Sequence, residues 1–350
     1  MNGLKSNRRS IAALIGMGVA ALLMWGLHDD PQATYHHNEG KVFGTYYNIR
    51  YEATSDLQDS ITAQLQAFDK SLSMFNPYST LSAINANRDT VTDVFFEQMF
   101  DEAARVNALS NGAFDITVAP LVNYWGFGTK RVQTPSGRPF TDRAQTDIDS
   151  LMLFVGFEKV RLEDHRIVKS DPRVMIDAGA VAKGQACDVV AAMLSRQGCT
   201  NYLVDIGGEV VCKGVNAKGE AWRVGITKPN LNNEGAQDDL QEVIAGTDLC
   251  MATSGNYRNY YYAGEERRSH TIDPRTGRPV QHSVLSATVV SSSCMRADAL
   301  ATACMVLGEE GAIDMIERAG DAACYLIVAH NDSLSVVQSK KWKEFLKTEN

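Results

Sequence analysis

Asp298 and Thr302 stand four residues apart in Arg296-Ala-Asp-Ala-Leu-Ala-Thr302, within a predicted helix, and therefore share one of its faces. A carboxylate and a hydroxyl one turn apart offer two hard oxygens to a magnesium ion, which takes few protein ligands and completes its shell with water and phosphate. A solvated acid beside a surface threonine satisfies the same spacing. Against that ordinary fate, Ala299, Leu300, Ala301, Ala303 and Cys304 make the helix apolar nearly all round. A buried aspartate without a partner is costly. The second candidate is Ser269-His-Thr-Ile-Asp-Pro-Arg-Thr-Gly277, where His270 leaves a strand beside a tight turn made by Pro274 and Gly277. A lone histidine near a turn is ordinarily structural, and nearby Arg258, Arg267, Arg268 and Arg275 suit an anionic ligand or simple exposure.

Two further segments could serve a phosphate-bearing ligand. Val174-Met-Ile-Asp177-Ala-Gly-Ala180-Val-Ala-Lys183-Gly184 reads as a strand, a small-residue turn and a helix start. Exposed backbone groups with a lysine one turn in can hold phosphate and metal, although small-residue loops often do neither. In Gly112-Ala-Phe-Asp-Ile-Thr-Val-Ala-Pro-Leu121, Phe114 suits either the core or a ring-stacking surface. Gly207-Gly208, after Tyr202-Leu-Val-Asp-Ile, reads as a strand followed by a turn more readily than as a phosphate cradle.

The elements that must position these residues alternate irregularly. Val42 to Tyr51 reads as a strand. Ser55 precedes an amphipathic helix with Leu57, Ile61, Leu65, Phe68 and Leu72 on one face, with Gln58 placed for a capping box. A second helix runs from Thr92 to Ser110 and stops at Asn111-Gly112. Short β-branched runs at 174–176, 201–206, 286–291 and 324–329 read as strands, and helices are expected at 181–197, 295–307 and 309–318. Residues 128–146 and 228–240 read as loops. Without repeats, G-x-G-x-x-G or G-x-x-x-x-G-K-[ST], this is an α+β body of mixed sheets with packed helices, not a doubly wound nucleotide fold.

The 350 residues carry 34 basic and 42 acidic side chains, net −8. The first 28 contain Lys5, Arg8, Arg9 and no acid, so the remainder has 31 basic against 42 acidic residues, net −11. Such a body lacks the electrostatic footprint for nucleic acid, and small molecules or proteins are the expected partners. The basic flank precedes an apolar run of 17 residues, Ile11 to Leu27, followed by His28, Asp29 and Asp30. That pattern is an export signal at the short limit of a bilayer span, with the amino end cytoplasmic and the body outside. Neither a clean cleavage site nor a cysteine for lipid follows, which favours reading 1–28 as an uncleaved anchor rather than a removed signal peptide. A polar tether over 29–40 and one domain over 41–345 complete the expected organisation. The seven cysteines, all between Cys187 and Cys324, form no C-x-x-C pair.

In order, Phe43-Gly-Thr, Gly112 to Leu121, Asp177-Ala-Gly-Ala-Val-Ala-Lys-Gly184, Val204-Asp-Ile-Gly-Gly-Glu209, Ala252-Thr-Ser-Gly-Asn-Tyr-Arg-Asn-Tyr-Tyr261, Ser269 to Pro279 and Ala297-Asp-Ala-Leu-Ala-Thr302 resemble the ApbE family of FAD:protein FMN transferases. The likeness covers roughly 42–308 and implies an ApbE-like fold. It also implies magnesium-dependent transfer of the FMN half of FAD to a threonine, or serine, hydroxyl of an acceptor protein, with release of AMP. The implied flavin contacts are Phe43, Tyr78, Ala113, Phe114, Asp115, Asp177, Lys183 and Ile272. Metal ligation falls to the Ala180 carbonyl, Asp298 and Thr302, and His270 matches the proposed base. The resemblance further implies acceptors among flavinylated subunits of inner-membrane redox complexes, such as the sodium-translocating NADH:quinone oxidoreductase, reached from the periplasm. Phe43 stands where the family usually has Met, Ala119 where it has Gly, and Ala301 where some relatives carry a second aspartate. Hydrolysis of FAD to FMN and AMP, or flavin binding without catalysis, are the alternative activities. Acceptor-dependent AMP release separates them.

Overall fold

The computed structural model describes residues 32–128, 145–229, 240–256, 260–263, 266–330 and 333–345. The apolar run 11–27 expected to act as an anchor, most of the loops expected at 128–146 and 228–240, and Arg258 lie outside these residues. Among the described residues no helix is long and apolar enough to cross a membrane.

The strands, in chain order, are β1 (Thr34–Val42), β2 (Thr45–Ala53), β3 (Val160–Glu163), β4 (Arg166–Lys169), β5 (Tyr202–Ile206), β6 (Glu209–Lys213), β7 (Trp222–Thr227), β8 (Leu240–Gly246), β9 (Asp248–Gly255), β10 (Tyr260–Ala263), β11 (Glu266–Ser269), β12 (Ile272–Asp273), β13 (Arg278–Pro279), β14 (Val284–Ser291), β15 (Ala322–His330) and β16 (Ser333–Gln338). The helices are α1 (Gln58–Leu72), α2 (Thr80–Asn85), α3 (Val94–Leu109), α4 (Ala119–Tyr124), α5 (Gln145–Met152), α6 (Ala182–Arg196), α7 (Cys294–Ala319) and α8 (Trp342–Phe345). Eight strands form one sheet in the order β1-β2-β5-β6-β9-β14-β15-β16. All its pairings are antiparallel, which corrects the expectation of mixed sheets while leaving the α+β class intact.

The central strands read as near-continuous apolar runs because both faces are covered. Along β15, Cys324, Leu326 and Val328 enter the larger core under the helices, while Ala323, Tyr325 and Ile327 enter a second core with Trp222 and Trp342. Ile61, Leu65, Phe68 and Leu72 of α1 bury the stripe that their spacing predicts. The capping box does not form. Asp56, not Ser55, receives the N–H of Gln58, at 2.9 Å, and the N–H of Leu57 donates to the Tyr51 hydroxyl. Residues 34–40, read as tether, are most of an edge strand paired with β2.

The two helices expected at 295–307 and 309–318 form a single run broken at Gly308, whose φ of 75° and ψ of −174° are not helical. The Met305 carbonyl, beside the break, accepts from His282 Nε2 at 2.8 Å. A side-chain donor of this kind is what a carbonyl near a helix interruption needs. The strand expected at 174–176 is absent. Val174 and Ile176 are buried, but the side-chain amide of Asn85 bonds both the N–H and the C=O of Ile176, at 2.8 Å each, in place of a neighbouring strand.

Candidate active site

A cavity of about 640 Å³ opens where β5, β6, β7 and β9 meet the starts of α6 and α7 and the 112–118 segment. Ten of the twelve residues expected at the site line it: Ala113, Phe114, Asp115, Asp177, Ala180, Lys183, His270, Ile272, Asp298 and Thr302. Phe43 and Tyr78 do not. Phe43 sits in the β1–β2 turn at a φ of 52°, its ring 5.6 Å from that of Phe68, and Tyr46 of the next strand reaches the cavity instead. Tyr78 is 86% exposed, on a loop that contributes Met74 to the lining.

The first wall comes from α3. Just past this helix Asn111 and Gly112 both adopt positive φ, and the following chain doubles back. The amide of Asn107 holds the Phe114 carbonyl at 2.7 Å, and Phe114 is only 1% exposed, so its ring belongs to the core while also bordering the cavity. Asp115 accepts from the Thr117 N–H at 2.8 Å and from the Thr117 hydroxyl at 2.7 Å. Burial pushes its carboxyl above the usual range, opposed by those bonds. The N–H of Asp177 then donates to the Ile116 carbonyl at 2.6 Å, which joins this wall to the turn before α6. Asp177 itself accepts from Gly179 N–H at 2.7 Å, and burial raises its carboxyl too.

The floor is a cluster of three charged side chains. Lys183, the second residue of α6, donates to Glu209 Oε1, and its Nζ lies 3.8 Å from Asp298 Oδ1. Asp298 Oδ2 accepts from the N–H of Gly184 at 3.0 Å. Burial alone would lower the Lys183 ammonium, yet Asp298 and Glu209 outweigh it and hold the proton more firmly than usual. Burial pushes the Glu209 carboxyl up to about 7, with Lys183 pulling against the rise. Glu209 Oε2 is buried and meets no hydrogen-bond partner among the described residues. Thr302 shares a 3.2 Å hydrogen bond with the Ser254 hydroxyl. Asp298 is 2% exposed, so the solvated-face reading of this helix fails.

The far wall carries His270. Beyond β11 the chain is clamped immediately after this residue, at Thr271: Val280 N–H donates to the Thr271 carbonyl at 3.0 Å, and the Thr271 hydroxyl donates to Asn256 Oδ1 at 2.7 Å. The tight turn forms as its residues imply. Gly277 N–H donates to Asp273 O at 2.8 Å, and Trp125 Nε1 donates to the Gly277 carbonyl at 2.8 Å. Gly277 has a φ of 71°, which favours glycine. Arg275 is paired with Asp273 at 2.9 Å, so its role is to brace this turn. The His270 ring packs edge-on to Phe127, centroids 6.2 Å apart.

Asp205, Glu209 and Arg223 also line the cavity, and reading the residues gave them no role. The Gly207-Gly208 turn does adopt positive φ at both positions, with Asp205 Oδ1 accepting from Gly208 N–H at 2.9 Å. It delivers Glu209 directly beneath Lys183. An acid following a glycine turn was the available signal, but its burial is a product of the tertiary fold.

The donor set fits a hard divalent ion. One carboxylate, a threonine hydroxyl and a backbone carbonyl bordering the same cavity leave room for water and phosphate oxygens, as magnesium requires. The unpartnered Glu209 oxygen nearby agrees with a site that expects further charge or donors.

The sequence profile described as the ApbE family matches residues 43–326. The FAD:protein FMN transferase of Vibrio cholerae is 37% identical over 345 residues, 94% of this chain and 98% of the relative. That of Escherichia coli K12 is 34% identical over 353 residues, 96% and 97% of the two chains. The solved flavin transferase ApbE from Vibrio cholerae superposes with a TM-score of 0.78 at 35% identity, covering 90% of this chain and all of that one. The apo flavinyl transferase ApbE of Pseudomonas stutzeri gives 0.78 at 28%, covering 92% of this chain and all of that one. With a profile match over most of its length, relatives alike from end to end and the same fold, the chain belongs to the ApbE family.

Proposed function

We propose that the chain is an FAD:protein FMN transferase that moves the FMN half of FAD onto a threonine or serine hydroxyl of an acceptor protein. The observation that carries this reading is a single cavity with Lys183, Asp298 and Thr302 on its floor and His270 on its far wall. Phosphoryl transfer is mostly positioning and charge stabilisation, so such a cavity needs little covalent machinery. The acceptor hydroxyl oxygen attacks the FMN phosphorus, the bond from that phosphorus to the AMP oxygen breaks, and His270 takes the hydroxyl proton. Lys183 donates to the flavin nucleotide, Phe114 and Ile272 give it apolar contact, and the 112–118 wall and the 177–180 turn keep bulk water from the reacting phosphate. Magnesium, held by Asp298, Thr302 and the Ala180 carbonyl, would supply neutralisation of phosphate charge.

The basic flank and apolar run of the amino end support an inner-membrane anchor with this domain facing the periplasm. Flavinylated subunits of membrane redox complexes, of the kind found in the sodium-translocating NADH:quinone oxidoreductase, suit an enzyme so placed. The test is intact-mass measurement of a candidate acceptor subunit incubated with the protein, FAD and magnesium. A mass gain of FMN less one water on a threonine or serine, with AMP formed in step, is the expected result. AMP formed equally without acceptor would make the protein a pyrophosphatase, and absence of AMP would leave only a flavin binder.

A further inference from the structure

Five carboxylates border the cavity, Asp115, Asp177, Asp205, Glu209 and Asp298, against the cations Lys183 and Arg223. That is a poor lining for a substrate joined by a pyrophosphate. Four of the five acids have backbone work to do: Asp115 accepts from Thr117 N–H, Asp177 from Gly179, Asp205 from Gly208 and Asp298 from Gly184. Glu209 instead holds Lys183. Its side chain is 3% exposed, Oε1 receives Lys183, and Oε2 meets no hydrogen-bond partner among the described residues. That ion pair cancels the cation best placed to meet a phosphate.

Resting on the flavin-transferase reading, we propose that Glu209 makes capture of FAD conditional on a divalent cation. With Lys183, Asp298 and an ionised Glu209 together, the floor carries net −1 and repels the pyrophosphate. A magnesium ion brings the same floor to net +1. Replacing Glu209 by a neutral isostere leaves Lys183 opposed only by Asp298, a neutral floor that no longer requires the metal to admit phosphate. Glu209 therefore guards against unproductive metal-free occupation of the site. The coupling is reciprocal: FAD must raise magnesium affinity by the factor by which magnesium raises FAD affinity.

The experiment is FAD affinity at pH 8, by quenching of flavin fluorescence and by calorimetry, with magnesium or with EDTA, for the wild type, Glu209→Gln and Glu209→Asp. EDTA should weaken wild-type binding severely. In Glu209→Gln the loss should shrink by roughly tenfold, because metal-free binding becomes tighter; removal of one unit charge at this range is worth about that factor. Glu209→Asp keeps the charge and should behave as the wild type. A tighter metal-free complex is a gain that damage to packing does not produce. Metal-free binding that is unchanged or weaker in Glu209→Gln, or wild-type binding indifferent to EDTA, overturns the proposal and leaves the flavin reading intact. Failure of the wild type to bind FAD in either buffer defeats the flavin reading itself. If Glu209→Gln does not fold, the wild type decides alone. Added salt should strengthen its metal-free FAD binding by screening repulsion and weaken its magnesium-loaded binding. Metal-free binding that weakens with salt overturns the proposal.

Discussion

The backbone N–H of Gly184 donates to Asp298 Oδ2 at 3.0 Å, which ties the first turn of α6 to the carboxylate that α7 presents to the cavity. The two helices approach so closely there that a Cβ on Gly184 would lie 2.2 Å from the Cys294 carbonyl oxygen and 2.9 Å from Asp298 Cβ. A glycine inside a helix start is therefore a packing requirement. It also aims the carboxylate, because the same contact fixes how far α7 stands from Lys183.

Gly184→Ala should force α6 and α7 apart. Overpacking of this kind costs about 1–3 kcal/mol, read as a lower urea midpoint at unchanged slope. A displacement of the carboxylate by a fraction of an ångström should also lower transfer, by roughly 10²-fold. Wild-type stability in Gly184→Ala would mean that the helices adjust freely at this crossing.

Asp298→Asn keeps size and can still accept from Gly184 N–H, so the fold should persist. Loss of the charge should lower transfer by roughly 10²-fold or more, with partial rescue at high magnesium. Thr302→Val, which removes a neutral ligand, should give a milder form of the same defect. A magnesium titration of AMP release for both variants is the measurement. An Asp298→Asn titration identical to that of the wild type would place the metal elsewhere.

The parts of the fold that were legible are those with a strong local signal. The apolar stripe of α1 repeats every 3.6 residues, Asn111-Gly112 marks the stop of α3, and β14 and β15 are β-branched or apolar runs buried on both faces. The edge strand β1 was hidden, since Tyr35, His36, His37, Asn38 and Glu39 have the composition of a tether and are held by backbone pairing with β2. Val174 to Ile176 misled in the opposite direction: their apolar character is real, but the Asn85 side chain does the work of a strand. At the site, most of the motifs that came with the resemblance converge, Phe43-Gly-Thr excepted, whereas Glu209 was invisible as chemistry. Nothing local distinguishes a buried acid after a glycine turn from an exposed one.

His282 should make stability depend on pH. Its Nε2–H donates to the Met305 carbonyl, and its Nδ1 receives the Val284 N–H at 3.3 Å, an arrangement that uses the neutral ring. Burial lowers its pKa below the ordinary 6.5, so the unfolded chain binds the proton that the folded chain refuses. Its contribution is present above the unfolded value and is lost as pH falls from about 6.5 toward the lowered folded value. His282→Ala should cost about 1–3 kcal/mol at pH 8 by orphaning the Met305 carbonyl, and the difference from wild type should narrow as pH falls toward 5. Denaturant melts of both proteins across that window test it, and a gap that widens on acidification would reverse the assigned sign.

His270→Ala should slow transfer far more than it weakens FAD binding. The ring stands on the far wall of the cavity, edge-on to Phe127, and Thr271 beside it is held by Val280 and Asn256, so the backbone keeps its place when the imidazole is removed. A base acts on the proton of the attacking hydroxyl, so its loss should lower kcat by about 10²–10⁴-fold. FAD affinity should stay within a few-fold of wild type, because Lys183, Phe114 and Ile272 still line the cavity. Raising the pH should recover part of the rate in the variant if the acceptor hydroxyl is then deprotonated by solvent hydroxide, whereas a defect in positioning gives no such recovery. The measurement is single-turnover AMP release across pH, paired with direct FAD titration. Collapse of flavin affinity with normal turnover of the bound FAD would make His270 a binding residue, and proton removal would then have to fall to another group on the cavity wall.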